Sequence, residues 1–330
     1  MTTYKGIRGL TIRTIAGDAS PLIAGDIWYS STTRKIRGAK LAAGAWSSGG
    51  NMNTSTQEGG GNGATQNAAW VAGGNLGPPS DPAGLSLNNE HYDGTSWTEQ
   101  ANVNASRKAP AGIGTPGASL FAGGEGDSAL SEEFNGSAWA EGNNLNQGRS
   151  IMSMSGTQTA GLVAGGYSSS AYQGEVEEYN GTSWAEQNDL NTTRGNAAGC
   201  GIQTVALCMS GAKAPGTTLT TEVEQYDGTS WTEIADVNTA RQSTPVGFGT
   251  VASAIFCAGG TPPPSALTEE WNGTSWSEVA DLPAGYRFSQ GAGTGAAGLR
   301  ASGANPTPNQ SAVTDEWTGP AAVASSFTSS

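Results

Sequence analysis

The chain has 330 residues, of which 50 are glycine and only 13% are charged, so short strands and turns are favoured over helices. Its formal net charge of -13 argues against a nucleic-acid partner, because such binding depends on clustered Lys and Arg. No segment reaches the roughly 18 consecutive apolar residues of a membrane span, and the N-terminus lacks the apolar core of a secretory signal. We expect an all-β protein without membrane insertion.

The first 40 residues differ from the rest of the chain in charge. They carry seven basic residues against two acidic ones, a net charge of +5, whereas the remainder carries -18. Residues 22–38 predict a strand, a polar turn and a second strand. We interpret residues 1–40 as a basic arm that docks on an acidic partner surface. The residues expected to anchor it are Trp28, Tyr29, Arg34, Lys35 and Arg37.

Beyond the arm, the sequence repeats phrases such as EEYNGTSW, each with an acidic-aromatic segment, Asp-Gly or Asn-Gly, and a Trp. The repeated tryptophans are Trp97, Trp139, Trp184, Trp231 and Trp276, spaced 42 to 47 residues apart. A period of about 45 residues accommodates four short strands and their turns, the size of one blade of a β-propeller. The Asp-Gly and Asn-Gly pairs predict hairpins with type I′ turns between the third and fourth strands.

The count of strands predicts how the repeats close on themselves. The acidic-aromatic strand occurs six times, but the last one, which ends at Trp317, is followed by no Trp strand. The segment around Trp46 has the pattern of that missing fourth strand. Because a ring leaves no free sheet edge, we expect residues 41–50 to complete the sixth blade. The predicted fold is an all-β, six-bladed β-propeller over residues 41–320, with the N-terminal arm before it and a C-terminal tail at 321–330.

These repeats resemble the kelch family of β-propellers, in which Gly-Gly ends the second strand and spaced Tyr and Trp residues follow. The resemblance covers about residues 41–320, with Ser-Gly in place of Gly-Gly at 210–211 and 302–303. The arm contains GDIWY at residues 25–29, which is similar to short segments of tail and fibre proteins of marine bacteriophages. This second resemblance implies a virion protein that is assembled in the host cytoplasm and contacts other virion proteins through its arm.

Two sets of residues are candidates for a binding site. An Arg follows the repeated Trp by ten or eleven residues, at Arg107, Arg149, Arg194, Arg241 and Arg287. These guanidinium groups would bind an anion or a glycan carboxylate, or would pair with repeated acids such as Glu133 and Glu178; regular repetition favours the structural role. The loops between the second and third strands vary in sequence and share a face with the Arg turns. They carry Tyr167 and Tyr172 as candidate aromatic contacts.

Residues that perform catalysis or bind metals are scarce. The chain has one histidine, His91. Its three cysteines fall at repeat positions of buried apolar residues: Cys208 and Cys257 in the position of Phe121 and Val163, and Cys200 in that of Ile113 and Phe248. We therefore expect no metal, no cofactor and no enzymatic activity.

Three functional hypotheses remain open. The first is a non-enzymatic structural protein of a bacteriophage virion, on the tail, a fibre or the capsid surface, that displays its propeller to a host-surface glycan or receptor. The second is a bacterial cell-surface or secreted carbohydrate-binding propeller. The third is a propeller glycosidase, which would need a pair of carboxylates on the variable face. Homo-oligomerisation is compatible with each.

Overall fold

The computed structural model describes residues 12–77, 84–214, 218–260, 263–305 and 310–326. The regular structure in these ranges is β-strand throughout, and they contain no helix that could span a membrane. The chain forms two compact units, a smaller one of residues 1–44 and 319–330 and a larger one of residues 45–318. Strands are numbered β1 to β32 in chain order.

The smaller unit is one mixed four-stranded sheet in the order β1-β2-β3-β32. Its strands are β1 (Arg13–Ile15), β2 (Ile27–Ser30), β3 (Lys35–Ala42) and β32 (Ala321–Ser326). Strands β1 and β2 are parallel and the other two pairs are antiparallel. The strand, turn and strand expected over residues 22–38 are therefore present as β2, its turn and β3.

The C-terminal segment differs from the separate tail that the sequence suggested. Strand β32 lies antiparallel to β3, with Ala324 opposite Ala39. Small and β-branched residues of β32 fit the free edge of β3, which needs a hydrogen-bonding partner. The pairing places residues 321–326 in the same unit as the arm, and it places Leu41 and Ala42 in β3. The repeat pattern could not indicate this pairing because neither strand belongs to a repeat.

The larger unit contains six four-stranded antiparallel sheets, which we number by their first strands. Sheet 6 takes its fourth strand from β4 (Ala45–Ser48). Sheet 1 comprises β5 (Gly60–Thr65), β6 (Ala68–Ala72), β7 (Asn89–Tyr92) and β8 (Trp97–Gln100). Sheet 2 comprises β9 (Ala111–Thr115), β10 (Ala118–Ala122), β11 (Ser131–Phe134) and β12 (Trp139–Glu141).

The next two sheets each carry an extra short hairpin between their second and third strands. Sheet 3 comprises β13 (Ser153–Thr157), β14 (Ala160–Ala164), β17 (Val176–Tyr179) and β18 (Trp184–Gln187), with a hairpin of β15 (Tyr167–Ser168) and β16 (Ala171–Tyr172). Sheet 4 comprises β19 (Ala198–Ile202), β20 (Val205–Met209), β23 (Val223–Tyr226) and β24 (Trp231–Ile234), with a hairpin of β21 (Ala212–Ala214) and β22 (Thr218–Leu219).

The last two sheets follow the same order of strands. Sheet 5 comprises β25 (Val246–Thr250), β26 (Ser253–Cys257), β27 (Thr268–Trp271) and β28 (Trp276–Glu278). Sheet 6 comprises β29 (Gln290–Thr294), β30 (Ala297–Ala301), β31 (Thr314–Thr318) and β4. The first strand of each sheet lies beside the first strand of the next, and β29 lies beside β5. This is a β-propeller-like arrangement.

Strand β4 pairs with β31 in the register expected for the Trp46 segment, with Trp46 opposite Trp317. The two indole rings lie 5.4 Å apart, and Trp46 Nε1 donates a hydrogen bond to Thr268 Oγ1 of sheet 5 at 3.0 Å. Strand β4 is thus bonded to sheet 6 through its backbone and to sheet 5 through the Trp46 side chain. It spans four residues, which is shorter than the expected segment 41–50.

The hairpins between third and fourth strands form at the Asp-Gly and Asn-Gly pairs, but their turns are not of type I′. In sheet 1, residues 93–96 form a four-residue loop in which Asp93 Oδ1 accepts hydrogen bonds from the N–H groups of Thr95 and Ser96, each at 2.8 Å. Within this loop only Gly94 has a positive φ, whereas a type I′ turn requires two such residues. The hydrogen bonds from the N–H groups of Ser96 and Thr95 also keep the pKa of Asp93 below its usual value.

The three cysteines are buried, as expected, but one occupies a different position in its strand. Cys208 faces the third-strand residue Glu224, in the position of Phe121, whereas Cys257 faces Thr268, one residue further along. Burial raises the pKa of the Cys208 thiol to about 11 and that of Cys257 to about 12. Cys200 is buried as well, with its pKa raised to about 12. The thiols are protonated core residues.

Tyrosine hydroxyls at the ends of third strands join neighbouring sheets. Three such hydrogen bonds run from Tyr92 to Glu316, from Tyr179 to Glu133 and from Tyr226 to Glu178. Burial raises the pKa of Tyr92 to about 12, helped by its bond to Glu316. Burial likewise raises the pKa of Tyr226 to about 12. The folded protein therefore holds these phenols in their neutral form.

The raised thiol and phenol pKa values predict a loss of stability at alkaline pH. The unfolded chain ionises these groups near their ordinary pKa values of 9.0 and 10.0, while the folded chain holds them protonated up to about pH 11 to 12. Their contribution is complete below pH 9 and is lost as the pH rises toward 12. Urea unfolding at pH 8, 10 and 11 should show a falling free energy of unfolding. A constant or rising value over this range would contradict the burial of these groups.

Candidate functional site

Four of the five predicted arginines are buried in ion pairs with acids on the third strand of the following sheet. The pairs are Arg107 with Glu132, Arg149 with Glu177, Arg194 with Glu224 and Arg241 with Glu269. In the last pair, Arg241 Nη2 lies 2.8 Å from Glu269 Oε1, and Nη1 donates to the Leu267 carbonyl at 2.6 Å. These arginine side chains are at most 5% exposed, so they are closed to a ligand and act in the fold.

The acids in these pairs are not the ones expected from the sequence. Glu133 and Glu178, one position further along their strands, instead accept the tyrosine hydroxyls described above. The buried acids are also bonded by the turn that carries the arginine. Glu269 Oε2 accepts from the backbone and side-chain nitrogens of Asn238 at 2.6 and 2.9 Å, and Oε1 accepts from the N–H of Thr239 at 3.2 Å. Each Arg–Glu ion pair thus links one sheet to the next.

Sheet 1 departs from this pattern. Thr56 occupies the arginine position, and Glu90 is 1% exposed with no ion-pair partner within the described part of the chain. Glu90 keeps the turn contacts, accepting from Asn53 N at 2.7 Å and from Thr54 N at 2.9 Å. The backbone donors of the turn therefore hold a buried carboxylate here without a guanidinium group.

Sheet 6 supplies its guanidinium from a different place. Tyr286 stands ten residues after Trp276, and Arg300 on β30 pairs with Asp315 and stacks on the Tyr286 ring at 3.5 Å. Arg287, the fifth predicted arginine, lies half-buried beside the Phe288 ring at 5.1 Å. Arg300 replaces an apolar residue within a strand, so its role could not be recognised from the position of Arg after Trp.

A second ring of residues lies twelve positions after Trp46 and after each of the five repeated tryptophans, and we call it the mouth ring. Its members all have a positive φ, between 50° and 64°, which is uncommon for residues other than glycine. They are Glu58, Ala109, Ile151, Asn196, Ser243 and Phe288. Backbone hydrogen bonds of 2.7 to 3.1 Å join five of the six neighbouring pairs. In the part of the chain that the structure describes, no such bond joins Ser243 to Asn196.

The mouth ring surrounds a cavity of about 640 Å³, which we call the mouth cavity. Tyr167 and Tyr172, the predicted aromatic residues, face each other across the β15–β16 hairpin and line this cavity, with their rings 5.6 Å apart. Asn196 Nδ2 lies 3.4 Å from the Tyr172 hydroxyl. Further lining residues come from the Arg turns and from the loop at 125–127. Residues 78–83, 215–217, 261–262 and 306–309 of the other variable loops lie outside the described residues.

A charged group occupies one wall of the mouth cavity. Lys108 Nζ lies 3.5 Å from Glu58 Oε2 and 3.4 Å from Glu125 Oε1. The Glu58 side chain is 9% exposed and its Oε2 accepts no hydrogen bond, whereas Glu125 is exposed. Burial raises the pKa of Glu58, and Lys108 opposes this effect. The wall therefore holds a desolvated carboxylate whose ion-pair partner among the described residues is Lys108.

Sequence reasoning missed the mouth ring because its six members share no side-chain chemistry. Left-handed backbone is usually indicated by Gly or Asn, and only Asn196 fits that rule. Position twelve after Trp holds six different residue types, but position eleven varies nearly as much, so this variability did not single out the ring.

The single histidine, His91, lies half-buried on β7 beside sheet 2. Burial lowers the pKa of His91 to about 4, and its ring packs edge-on against Phe134 at 5.4 Å. Over the described ranges, His, Cys, Asp and Glu side chains form no group of three that could hold a metal ion.

The predicted anchoring residues of the arm divide into buried and exposed members. Trp28 is 2% exposed and donates from Nε1 to the Gly17 carbonyl at 3.2 Å, and Arg37 forms an ion pair with Asp18 at 2.7 Å. These two support the smaller unit itself. The members that remain half-buried or exposed are Tyr29, Arg34 and Lys35. Lys5 and Arg8 lie outside the described residues.

Comparison with known proteins identifies the fold and no family. No protein-family model matches the sequence, and no curated protein matches it. Among solved structures, the chain is similar to the structure of YjhT, with a TM-score of 0.64 and 14% sequence identity, over 81% of this chain and 95% of that chain. Since 310 solved chains match, the fold is a common one. At this identity the likeness shows a β-propeller-like, all-β fold alone.

Proposed function

We propose that the protein is a non-enzymatic structural component of a bacteriophage virion that presents the mouth cavity of a six-bladed, kelch-like propeller to a molecule on the host surface. The proposed binding role rests on a contrast between two sets of residues in the same turns, the buried arginines and the mouth ring. The buried Arg–Glu pairs repeat nearly unchanged, whereas the mouth ring changes its chemistry at every position around a cavity of about 640 Å³. Strained backbone and broken symmetry are typical of binding sites.

Three features support the six-bladed architecture. The larger unit has six sheets with the same strand order, the first strand of each sheet lies beside the first strand of the next sheet, and β29 lies beside β5. Strand β4 completes sheet 6 from the N-terminal side. A ring whose last blade combines strands from both ends of the repeat region gives every blade four strands and leaves only short outer edges.

The virion assignment rests on the arm. Its GDIWY segment resembles phage tail and fibre proteins, and its net charge of +5 contrasts with -18 for the rest of the chain. The β2–β3 hairpin presents Arg34 and Lys35 to solvent, next to the exposed Ile36, and Ile27 on β2 is also exposed. An exposed surface that combines basic and apolar residues suits docking on an acidic protein surface. The partner would be another virion protein.

Assembly of the virion tests this assignment. Gradient-purified particles from cells that produce the protein should contain it, as measured by mass spectrometry. Reversing the two exposed charges, with Arg34→Glu and Lys35→Glu, should lower its copy number per particle at least several-fold. The control Glu186→Lys, on an exposed residue of β18, should leave the copy number unchanged. Absence of the wild-type protein from purified particles would reject the virion assignment and favour a bacterial cell-surface or secreted carbohydrate-binding propeller, located outside the cell.

One observation favours the glycosidase alternative. The pKa of Glu58 is raised, and a second carboxylate, that of Glu125, lines the same cavity. Retaining and inverting glycosidases need such a pair with space for substrate between the two groups. Here Lys108 Nζ lies within 3.5 Å of both carboxylates and pairs with them. We therefore favour binding without turnover, and release of reducing sugar from a bound glycan would overturn this choice.

A further inference from the structure

The wall of the mouth cavity holds a buried carboxylate with a long ion pair. The Glu58 side chain is 9% exposed, and Lys108 Nζ, its ion-pair partner among the described residues, lies 3.5 Å from Oε2, which is longer than a strong charge-assisted hydrogen bond. A buried carboxylate oxygen without a full set of donors is costly, and a ligand hydroxyl would relieve that cost. This group distinguishes the cavity from the Arg–Glu pairs, whose acids are saturated by turn N–H groups and guanidinium groups.

The gap in the mouth ring adds a donor and a second acceptor. Backbone hydrogen bonds join five of the six neighbouring pairs of the mouth ring. The Ser243 N–H and the Asn196 carbonyl form no backbone hydrogen bond with any described residue. Both residues line the cavity, and Ser243 is 8% exposed. A ligand group that can donate and accept at once, such as a hydroxyl, fits between them.

Aromatic and aliphatic surface completes the lining. Tyr167 and Tyr172 meet edge to face at 5.6 Å, so part of each ring face is left for another contact, and Ile151 and Phe288 contribute further apolar surface. The C–H faces of a sugar ring stack on such side chains while its hydroxyls reach polar groups. A volume of about 640 Å³ lies within the roughly 300–1,000 Å³ usual for small-molecule sites.

The charges of the lining decide the class of ligand. Glu58, Glu125 and Asp127 oppose the single cation Lys108, so the described lining is net acidic. This disfavours carboxylated or sulfated ligands, and the four arginines that could have bound them are enclosed in ion pairs. An organic cation is disfavoured as well, because Lys108 already occupies the place between Glu58 and Glu125.

From this combination we infer that the mouth cavity binds an uncharged, hydroxyl-rich glycan. The inference rests on the proposed binding function and specifies its ligand. The Glu58 carboxylate and the Asn196 carbonyl accept hydrogen bonds from the sugar, the Ser243 N–H donates one, and the tyrosine pair stacks on it.

A glycan array probed with the full-length protein tests the inference. The probes are oligosaccharides of glucose, galactose, mannose and N-acetylglucosamine, each with a carboxylated or sulfated counterpart, together with a choline-bearing glycan as the cationic probe. We expect binding to at least one neutral glycan and weaker binding to its acidic form. Binding confined to the acidic or choline-bearing probes, or to none of the probes, would overturn the inference.

Variants assign the binding to the mouth cavity. Glu58→Gln keeps the shape of the side chain but removes its charge, and it should weaken binding of the neutral glycan by about tenfold or more. The matched control Glu186→Gln, on β18, should leave binding unchanged. Because Glu58 is buried, Tyr167→Ala provides a second variant at the rim of the cavity. If both variants fold, as judged by circular dichroism, and bind as tightly as wild type, the site is not the mouth cavity.

Failure of the ligand inference is distinguishable from failure of the proposed function. The protein could be present in purified particles, and its Tyr167→Ala variant could reduce adsorption to host cells, while no glycan binds. That result would reject the ligand class alone. A protein that is absent from particles but binds neutral glycans through Glu58 would reject the virion assignment alone.

Discussion

Replacing Arg241 with Met should lower the free energy of unfolding of the larger unit by about 3–5 kcal/mol, the usual cost of removing one partner from a buried ion pair. Arg241 and Glu269 are each 1% exposed, so water cannot replace the lost guanidinium group. The variant also loses the bond to the Leu267 carbonyl and the stacking on Phe256 at 4.0 Å. Thermal unfolding followed by circular dichroism should show a melting temperature lower by about 10 °C.

Two further variants separate the loss of the pair from the loss of packing. The double variant Arg241→Met with Glu269→Gln should recover part of the stability, because it no longer buries an unpaired charge. Glu90→Gln, in the sheet whose buried acid has no guanidinium partner among the described residues, should cost clearly less than Glu269→Gln. If Arg241→Met unfolds at the wild-type temperature, the pair does not hold sheets 4 and 5 together.

Replacing Trp46 with Ala should destabilise the larger unit by about 3 kcal/mol, toward the lower end of the range for removal of a buried Trp because this side chain is half-buried. The indole contacts Trp317 at 5.4 Å and donates to Thr268 at 3.0 Å, so the substitution loosens β4 from both sheet 6 and sheet 5. An unpaired β31 edge would also promote aggregation. Unfolding in urea measures the first effect and light scattering near the transition the second.

The neighbouring position supplies the control for the strand. Ser47→Ala changes an exposed side chain of the same strand and should leave stability within about 0.5 kcal/mol of wild type. Equal stability of Trp46→Ala and Ser47→Ala would mean that β4 does not complete the last sheet.

The repeat made much of the fold predictable from the sequence. A phrase that recurs about every 45 residues indicates the four strands of each sheet, and the absence of a Trp strand after Trp317 pointed to Trp46 as the partner that the structure contains. Strand β32 was not predictable in this way, because it pairs outside the repeat with β3. The N-terminal segment was predicted to end at residue 40, four residues before the end at Gly44 that the structure gives.

The candidate site was less predictable because it depends on register and backbone conformation. The structure pairs the arginines with Glu132 and Glu177 where the sequence suggested Glu133 and Glu178, and a shift of one residue moves a side chain to the other face of a strand. Tyr167 and Tyr172, which were predicted from their place in a variable loop, line the mouth cavity, and their role in binding stays a prediction. The left-handed conformation of residues such as Ile151 and Phe288 has no sequence signature.

The buried arginines and the mouth ring lie in the same inter-sheet turns but differ in their proposed roles. In four of the six turns, an Arg ten residues after Trp pairs with an acid of the next sheet, while the residue two positions later varies. These four turns hold Ala109, Ile151, Asn196 and Ser243 at that position without loss of the fold. A binding surface could diversify in this way on a constant scaffold.

Electron cryomicroscopy of native particles would locate the protein and so test the proposed function. We expect density for the larger unit on the outside of the particle, with the mouth cavity and the Tyr167–Tyr172 hairpin open to solvent. A mouth cavity buried against another virion protein, or particles that contain no density for this chain, would contradict it.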